Sequence, residues 1–131
     1  MIVDSSAIVA MLNSEDEAEA FSSAILASEE ARMSAGNYLE ASIVIDGNRD
    51  PIVSARLDSV MAELGIGIEP VTASQARIAR QAYRDFGKGS GHPAKLNFGD
   101  CFAYALAMER GEPLLYKGDD FVHAGLARVV G

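Results

Sequence analysis

The chain has 131 residues, 49% hydrophobic and 23% charged, the balance of an ordinary soluble globular domain; this excludes low-complexity and fibrous classes. Nineteen acidic residues against eleven basic ones leave a net charge of −8, which argues against unaided attraction to nucleic acid or anionic membranes, though not against nucleic acid as a substrate. No run approaches the roughly 18 apolar residues of a membrane span, and the lone Cys101 cannot close an internal disulfide, so a cytoplasmic protein without membrane association is expected.

Ile2-Val3 begins as a short buried strand, and Ser5-Ser6 supply caps for a helix over Ala7–Leu12. Ser14 is placed to cap a second helix reaching Ser28, with Glu15, Asp16 and Glu17 complementing its dipole. Met33–Ala35 reads as a second strand, and Asn37 as the cap of a helix carrying Leu39, Ile43 and Val44. Pro51 suits the first turn of a helix that Gly65 stops after Leu64. Ile66–Val71 reads as a third strand, and Thr72 or Ser74 caps a helix to Phe86. Residues 87–95 form a glycine-rich loop, after which Asn97 caps a helix to about Arg110. Leu114–Tyr116 is a fourth strand and Ala127–Val130 a candidate fifth. Short apolar strands alternating with helices predict a single α/β domain over residues 1–131, with a parallel sheet of four to five strands covered on both faces. Ligands of such sheets bind beyond the carboxyl ends of the strands.

Acidic side chains stand inside or at the mouths of the apolar segments. Asp4 ends the first, Glu40 lies within the second, Asp100 opens another, and Asp119-Asp120 follow Leu114-Leu115-Tyr116. A buried unpaired carboxylate is costly and tends to take up a proton, whereas several converging carboxylates offset that cost by binding a hard divalent cation. The pattern points to metal-dependent chemistry on phosphates, with the cation reversing the local sign of an acidic pocket.

The segments Met1–Ala7, Tyr38-Leu39-Glu40, Leu96–Ala107 and Leu114–Phe121 resemble the PIN-domain ribonucleases, and within them the VapC toxins of bacterial toxin–antitoxin pairs. The resemblance runs along nearly the whole chain in order and spacing, with 96–107 its most specific part. It implies a PIN-like three-layer fold and a Mg²⁺- or Mn²⁺-dependent endoribonuclease. It further implies an RNA substrate, a VapB-type antitoxin that occludes the acidic site, and a homodimer. By position, Asp4, Glu40 and Asp100 match the family's regular acids. The fourth is open between Asp119 and Asp120, with Asp119 the first choice, because Gly118 occupies the place where relatives carry an aspartate. Asp4 and Asp100 are assigned as direct metal ligands, while Glu40 and Asp119 would act through bound water or a second ion. Ser6, Asn97 and Asp120 are candidates for supporting the site; Ser6 is also readable as a helix cap, and Asn97 reads first as one.

The basic residues are uneven. Arg77, Arg80 and Arg84 fall within about a 60° arc of one helix, opposite Ile78, Ala79, Ala82, Tyr83 and Phe86. This stripe is either a solvated face or a contact for RNA phosphates. Cys101 reads as a buried inert thiol, and His92 and His123 as surface residues without metal-ligand spacing. Met11, Leu12, Phe21 and Ile25 are expected to leave apolar surface for a helix of the partner. Two alternatives stand beside the nuclease. One is a catalytically silent PIN-like interaction module. The other is an aspartyl-phosphate phosphatase, which would want an acid where Ser6 stands.

Overall fold

The structure, a computed structural model, describes residues 1–126, 128 and 129. The order of elements is β1 (Ile2–Val3), α1 (Ser5–Leu12), α2 (Ala18–Ala27), β2 (Ala31–Ser34), α3 (Ala35–Gly47), α4 (Pro51–Leu64), β3 (Ile66–Glu69), α5 (Ala73–Phe86), α6 (Phe98–Arg110) and β4 (Leu114–Leu115), with a 3₁₀ turn at Asp120–Ala124. The four strands form one parallel sheet in the order β3-β2-β1-β4. Side-chain alternation on these strands divides the core. Val3, Met33 and Leu115 pack with Ile8, Phe21, Ile45 and Leu57 on one face. Ile2 and Leu114 pack with Ala82, Leu96 and Leu106 on the other. The strand order runs outward from β1 through β2 to β3, then crosses back so that β4 lies on β1's other side. The reversal opens a crevice between the carboxyl ends of β1 and β4, where Asp4 and the segment after Tyr116 emerge.

Several element ends differ from those expected. Asp4, not Ser5 or Ser6, caps α1, its carboxylate accepting from the Ser6 backbone N–H. The second helix begins at Ala18, because Ser14 adopts φ 52° and the chain turns through 15–17 before it can wind. Ser34 rather than Asn37 caps α3, which buries Asn37, Ala41 and Ile45 and turns Leu39, Ile43 and Val44 outward. Pro51 stands in the first turn of α4, and Gly65 (φ 67°), Thr72 and Asn97 occupy the cap positions expected of them. The loop at 87–95 is pinned by the Lys88 N–H to Leu96 carbonyl bond of 2.8 Å and the Leu96 N–H to Phe86 carbonyl bond of 2.9 Å. His92 is half-buried against the Phe86 ring and accepts a hydrogen bond from the Ala94 N–H, so it is less of a surface residue than expected. Of the expected fifth strand, Ala127 and Val130 lie outside the described residues, and Arg128 makes an isolated parallel bridge with Leu114. Met11, Leu12, Phe21 and Ile25 are core residues, all below 10% exposure; the expected apolar surface for a partner is therefore not made by them.

Candidate active site

β1 delivers Asp4 to the crevice, and the helix that follows makes it a cap. Its Oδ2 accepts the Ser6 N–H at 3.0 Å and the Ser6 hydroxyl at 2.6 Å. The Ser6 oxygen in turn accepts the Lys117 N–H at 3.0 Å, so the hydroxyl proton is directed at Asp4 and the β1 and β4 exits are tied together. Asp4 is 3% exposed, and its Oδ1 is buried with no hydrogen-bond partner among the described residues. Burial pushes this carboxyl up to about 6; the Ser6 bonds oppose the rise and the Glu40 charge adds to it.

Glu40 projects from α3 and Asp100 from the first turn of α6. The Glu40 Oε1 accepts from the Ser5 hydroxyl and, at 3.4 Å, from the Asn37 amide. Asn37 also donates to the Gly99 carbonyl at 2.9 Å. Asp100 and Asn97 form a reciprocal capping box, each accepting the other's backbone N–H at 2.9 Å. The helix terminus favours negative charge there, yet burial pushes Asp100 up to about 7 against its capping bond. The neighbouring Asp4, Asp120 and Glu40 charges add to the rise. Burial likewise raises the Cys101 thiol to about 11, which fits the inert reading.

These groups share one cavity of about 400 Å³, whose wall includes Asp4, Ser6, Glu40, Asn97, Asp100 and Asp120. Asp119, the first choice for the fourth acid, is not in it. Its side chain is 88% exposed and lies 3.7 Å from the Arg128 guanidinium, beside a different depression. Gly118, at φ 100°, turns the chain, and the 3₁₀ turn then starts at Asp120, which faces the cavity instead. Asn97 serves both readings at once, capping α6 while lining the cavity; Ser6 lines the cavity but donates to the cap Asp4 and does not itself cap α1. Ser5, Asn37 and the Lys117–Glu15–Glu17 ion pairs at the rim were missed by sequence reasoning. Serines and asparagines near helix starts read first as caps, and pairing between residues 15–17 and 117 has no local signal. Arg77, Arg80 and Arg84 lie exposed on α5, outside the cavity, and no salt bridge engages them among the described residues.

The donor set suits a hard cation. The acidic groups offer carboxylate oxygens, and one buried oxygen lacks a partner among the described residues. Burial first, with the neighbouring acidic charges adding to it, raises Asp4 and Asp100; the one cation in the wall, Lys117, is engaged by Glu15 and Glu17. Among the described residues no three His, Cys, Asp or Glu side chains are gathered into a group that could hold a metal ion by themselves.

Comparison with known proteins shows the family. The PIN domain family model matches residues 1–126. Ribonuclease VapC28 of Mycobacterium tuberculosis is 55% identical over 130 residues, covering 99% of this chain and 98% of the relative. Ribonuclease VapC42 of the same organism is 49% identical over 126 residues, covering 96% of each. The crystal structure of M. tuberculosis VapC20, a toxin that cleaves the sarcin–ricin loop, superposes with TM-score 0.75 at 16% identity, covering 96% of this chain and 95% of that one. At that identity the likeness speaks to fold alone. The chain belongs to the PIN-domain family, among the VapC ribonucleases.

Proposed function

We propose that this chain is the toxin of a VapBC-type pair, a cytoplasmic endoribonuclease whose acidic cavity works with Mg²⁺ or Mn²⁺. The observation that carries the reading is the meeting of Asp4, Glu40, Asp100 and Asp120 in one cavity whose one lining cation, Lys117, is engaged by Glu15 and Glu17, while Asp4 Oδ1 is buried with no hydrogen-bond partner among the described residues. Asp4 and Asp100 are the residues that would hold the ion. Once bound, it supplies a more acidic water and neutralises charge on the phosphate under attack. Ser6 holds Asp4 by Oδ2, which leaves Oδ1 for the ligand. Glu40 and Asp120 orient water within the cavity and accept its protons, and Asp120 takes the role the sequence alone had assigned to Asp119. The exposed Arg77, Arg80 and Arg84 are proposed contacts for RNA phosphates. Ser6 bonds Asp4 where a phosphatase of the aspartyl-phosphate type would need an acid, so that reading has no support here.

Two partners complete the proposal. A VapB-type antitoxin would place a basic side chain in the acidic cavity. A second copy of this chain would cover the apolar face made by Leu39 and Ile43 of α3 with Phe98 and Phe102 of α6, where Phe98 is 78% exposed. Cleavage of an RNA substrate by the purified protein with Mg²⁺, with Mn²⁺ and in EDTA tests the enzyme. Activity only with the metals is expected, and full activity in EDTA would overturn the reading. Light scattering of the wild type and Phe98→Glu tests the dimer, which the variant should dissociate.

A further inference from the structure

Asn37 is fully buried on α3, three residues before Glu40 and therefore on the same face of the helix. It does not cap the helix; Ser34 does. Both of its hydrogen bonds go to the acidic site. The amide nitrogen donates to the Gly99 carbonyl at 2.9 Å and to Glu40 Oε1 at 3.4 Å; both partners are acceptors, which fixes the orientation of the amide. That orientation leaves Asn37 Oδ1 buried with no partner among the described residues, a cost that an apolar side chain of similar size would avoid. Across the contact, Gly99 packs so closely that a Cβ built on it would overlap the Glu40 carboxylate. Gly99 is the residue before Asp100. Glu40 is thus held by Ser5 from α1 and Asn37 from α3, and hemmed in by the backbone of α6.

We propose that Asn37 is a positioning residue: it clamps Glu40 of α3 to the first turn of α6, and so sets the placement of Glu40 against Asp4 and Asp100. Like charges would otherwise drive Glu40 outward. The inference rests on the reading of the cavity as a metal-dependent nuclease site.

The test uses the full chain with Asn37→Leu, Glu40→Gln, the double variant and Gly99→Ala. Readouts are thermal melting, Mn²⁺ affinity by calorimetry, and kcat and KM on an oligoribonucleotide. Asn37→Leu removes a buried unpaired oxygen and should melt at or above the wild-type temperature. Its kcat should fall about tenfold or more with little change in KM, and its Mn²⁺ affinity should weaken. In the Glu40→Gln background the same change should add less than about twofold to either loss, because Asn37 acts through Glu40. Gly99→Ala, whose new methyl displaces Glu40 from the other side, should reproduce the loss in a stable protein; it decides the matter if Asn37→Leu does not fold. Wild-type kcat and Mn²⁺ affinity in a folded Asn37→Leu or in Gly99→Ala, or losses that multiply in the double variant, overturn the role of Asn37 alone. A wild type that neither binds Mn²⁺ nor cleaves RNA overturns the nuclease reading, and this inference with it.

Discussion

Two groups of carboxylates in this protein sit in opposite electrostatic surroundings. Glu30, Glu69 and Glu112 gather around Arg32 and Arg110, with Arg110 donating to Glu30 at 2.9 Å and to Glu112 at 2.6 Å, and Arg32 to Glu30 at 2.7 Å. The Arg32 bond and charge hold Glu30 below the usual carboxylate range. Asp4, Glu40, Asp100 and Asp120 instead share a cavity whose one cation, Lys117, is engaged by Glu15 and Glu17 at the rim. There the pKa values of Asp4 and Asp100 rise. Acids that serve the fold carry their counter-charges with them. Those of the cavity find only Lys117, already engaged by Glu15 and Glu17, and in the proposed function a divalent cation brings the missing charge.

The largest effects should come from the cavity. Asp4→Asn and Asp100→Asn keep the shape and the caps but remove the charge, and each should lower RNA cleavage by about a hundredfold or more. Asp120→Asn should also impair cleavage while Asp119→Asn stays near wild type; the reverse order would return the fourth acid to Asp119. Initial rates on one labelled RNA check all four.

A stability effect follows from the sign of the pKa shifts. Asp4 and Asp100 titrate at about 6 and about 7 in the folded protein against 3.8 for an ordinary aspartate, so the folded state holds protons that the unfolded chain releases. Their contribution is neutral below about pH 4, and as the pH rises through about 7 it destabilises the metal-free protein progressively. Melting in EDTA from about pH 5 to about pH 8 should therefore cost the wild type stability relative to the Asp4→Asn/Asp100→Asn double variant. Mg²⁺ at a hundredfold excess over Kd should restore about 2.7 kcal/mol to the wild type alone. A flat difference between the two proteins across that range would break the contrast.

Smaller effects belong to the exposed charges. Replacing Arg77, Arg80 and Arg84 together with Gln should weaken binding to a non-cleaved RNA and flatten the dependence of log K on log salt by up to about 0.7 per lost contact. An unchanged slope would leave the stripe as a solvated face. Smallest of all, Glu30→Gln removes an exposed, solvent-screened pair partner; it should leave the melting temperature nearly unchanged and cleavage untouched.

Much of this could be read from the residues. Asp4, Glu40 and Asp100 stand out because acids interrupt apolar segments, and Thr72, Asn97, Pro51 and Gly65 mark helix ends by local chemistry that tertiary contacts did not override. What could not be read depends on distant parts of the chain. Choosing Asp120 over Asp119 requires the left-handed turn at Gly118, and that conformation is one glycine permits without requiring. Asn37 looked like a cap because its type favours caps; its bond to Gly99 spans 62 positions. Leu39, Ile43 and Val44 mark α3 as a helix but not which face it buries; Ala41 and Ile45 are inside, since that is decided by where α1 and α6 lie. For the same reason Met11, Leu12, Phe21 and Ile25 went to the core.

In the proposed function a divalent cation supplies the positive charge that the cavity's acids do not find in Lys117, which Glu15 and Glu17 engage. Calorimetric titration of Mn²⁺ into the metal-free wild type and into Asp100→Asn near neutral pH tests it most directly. A saturable site is expected in the wild type, with protons released as Asp4 and Asp100 ionise, and its loss in the variant. Equal binding by both proteins, or none by the wild type, would contradict it.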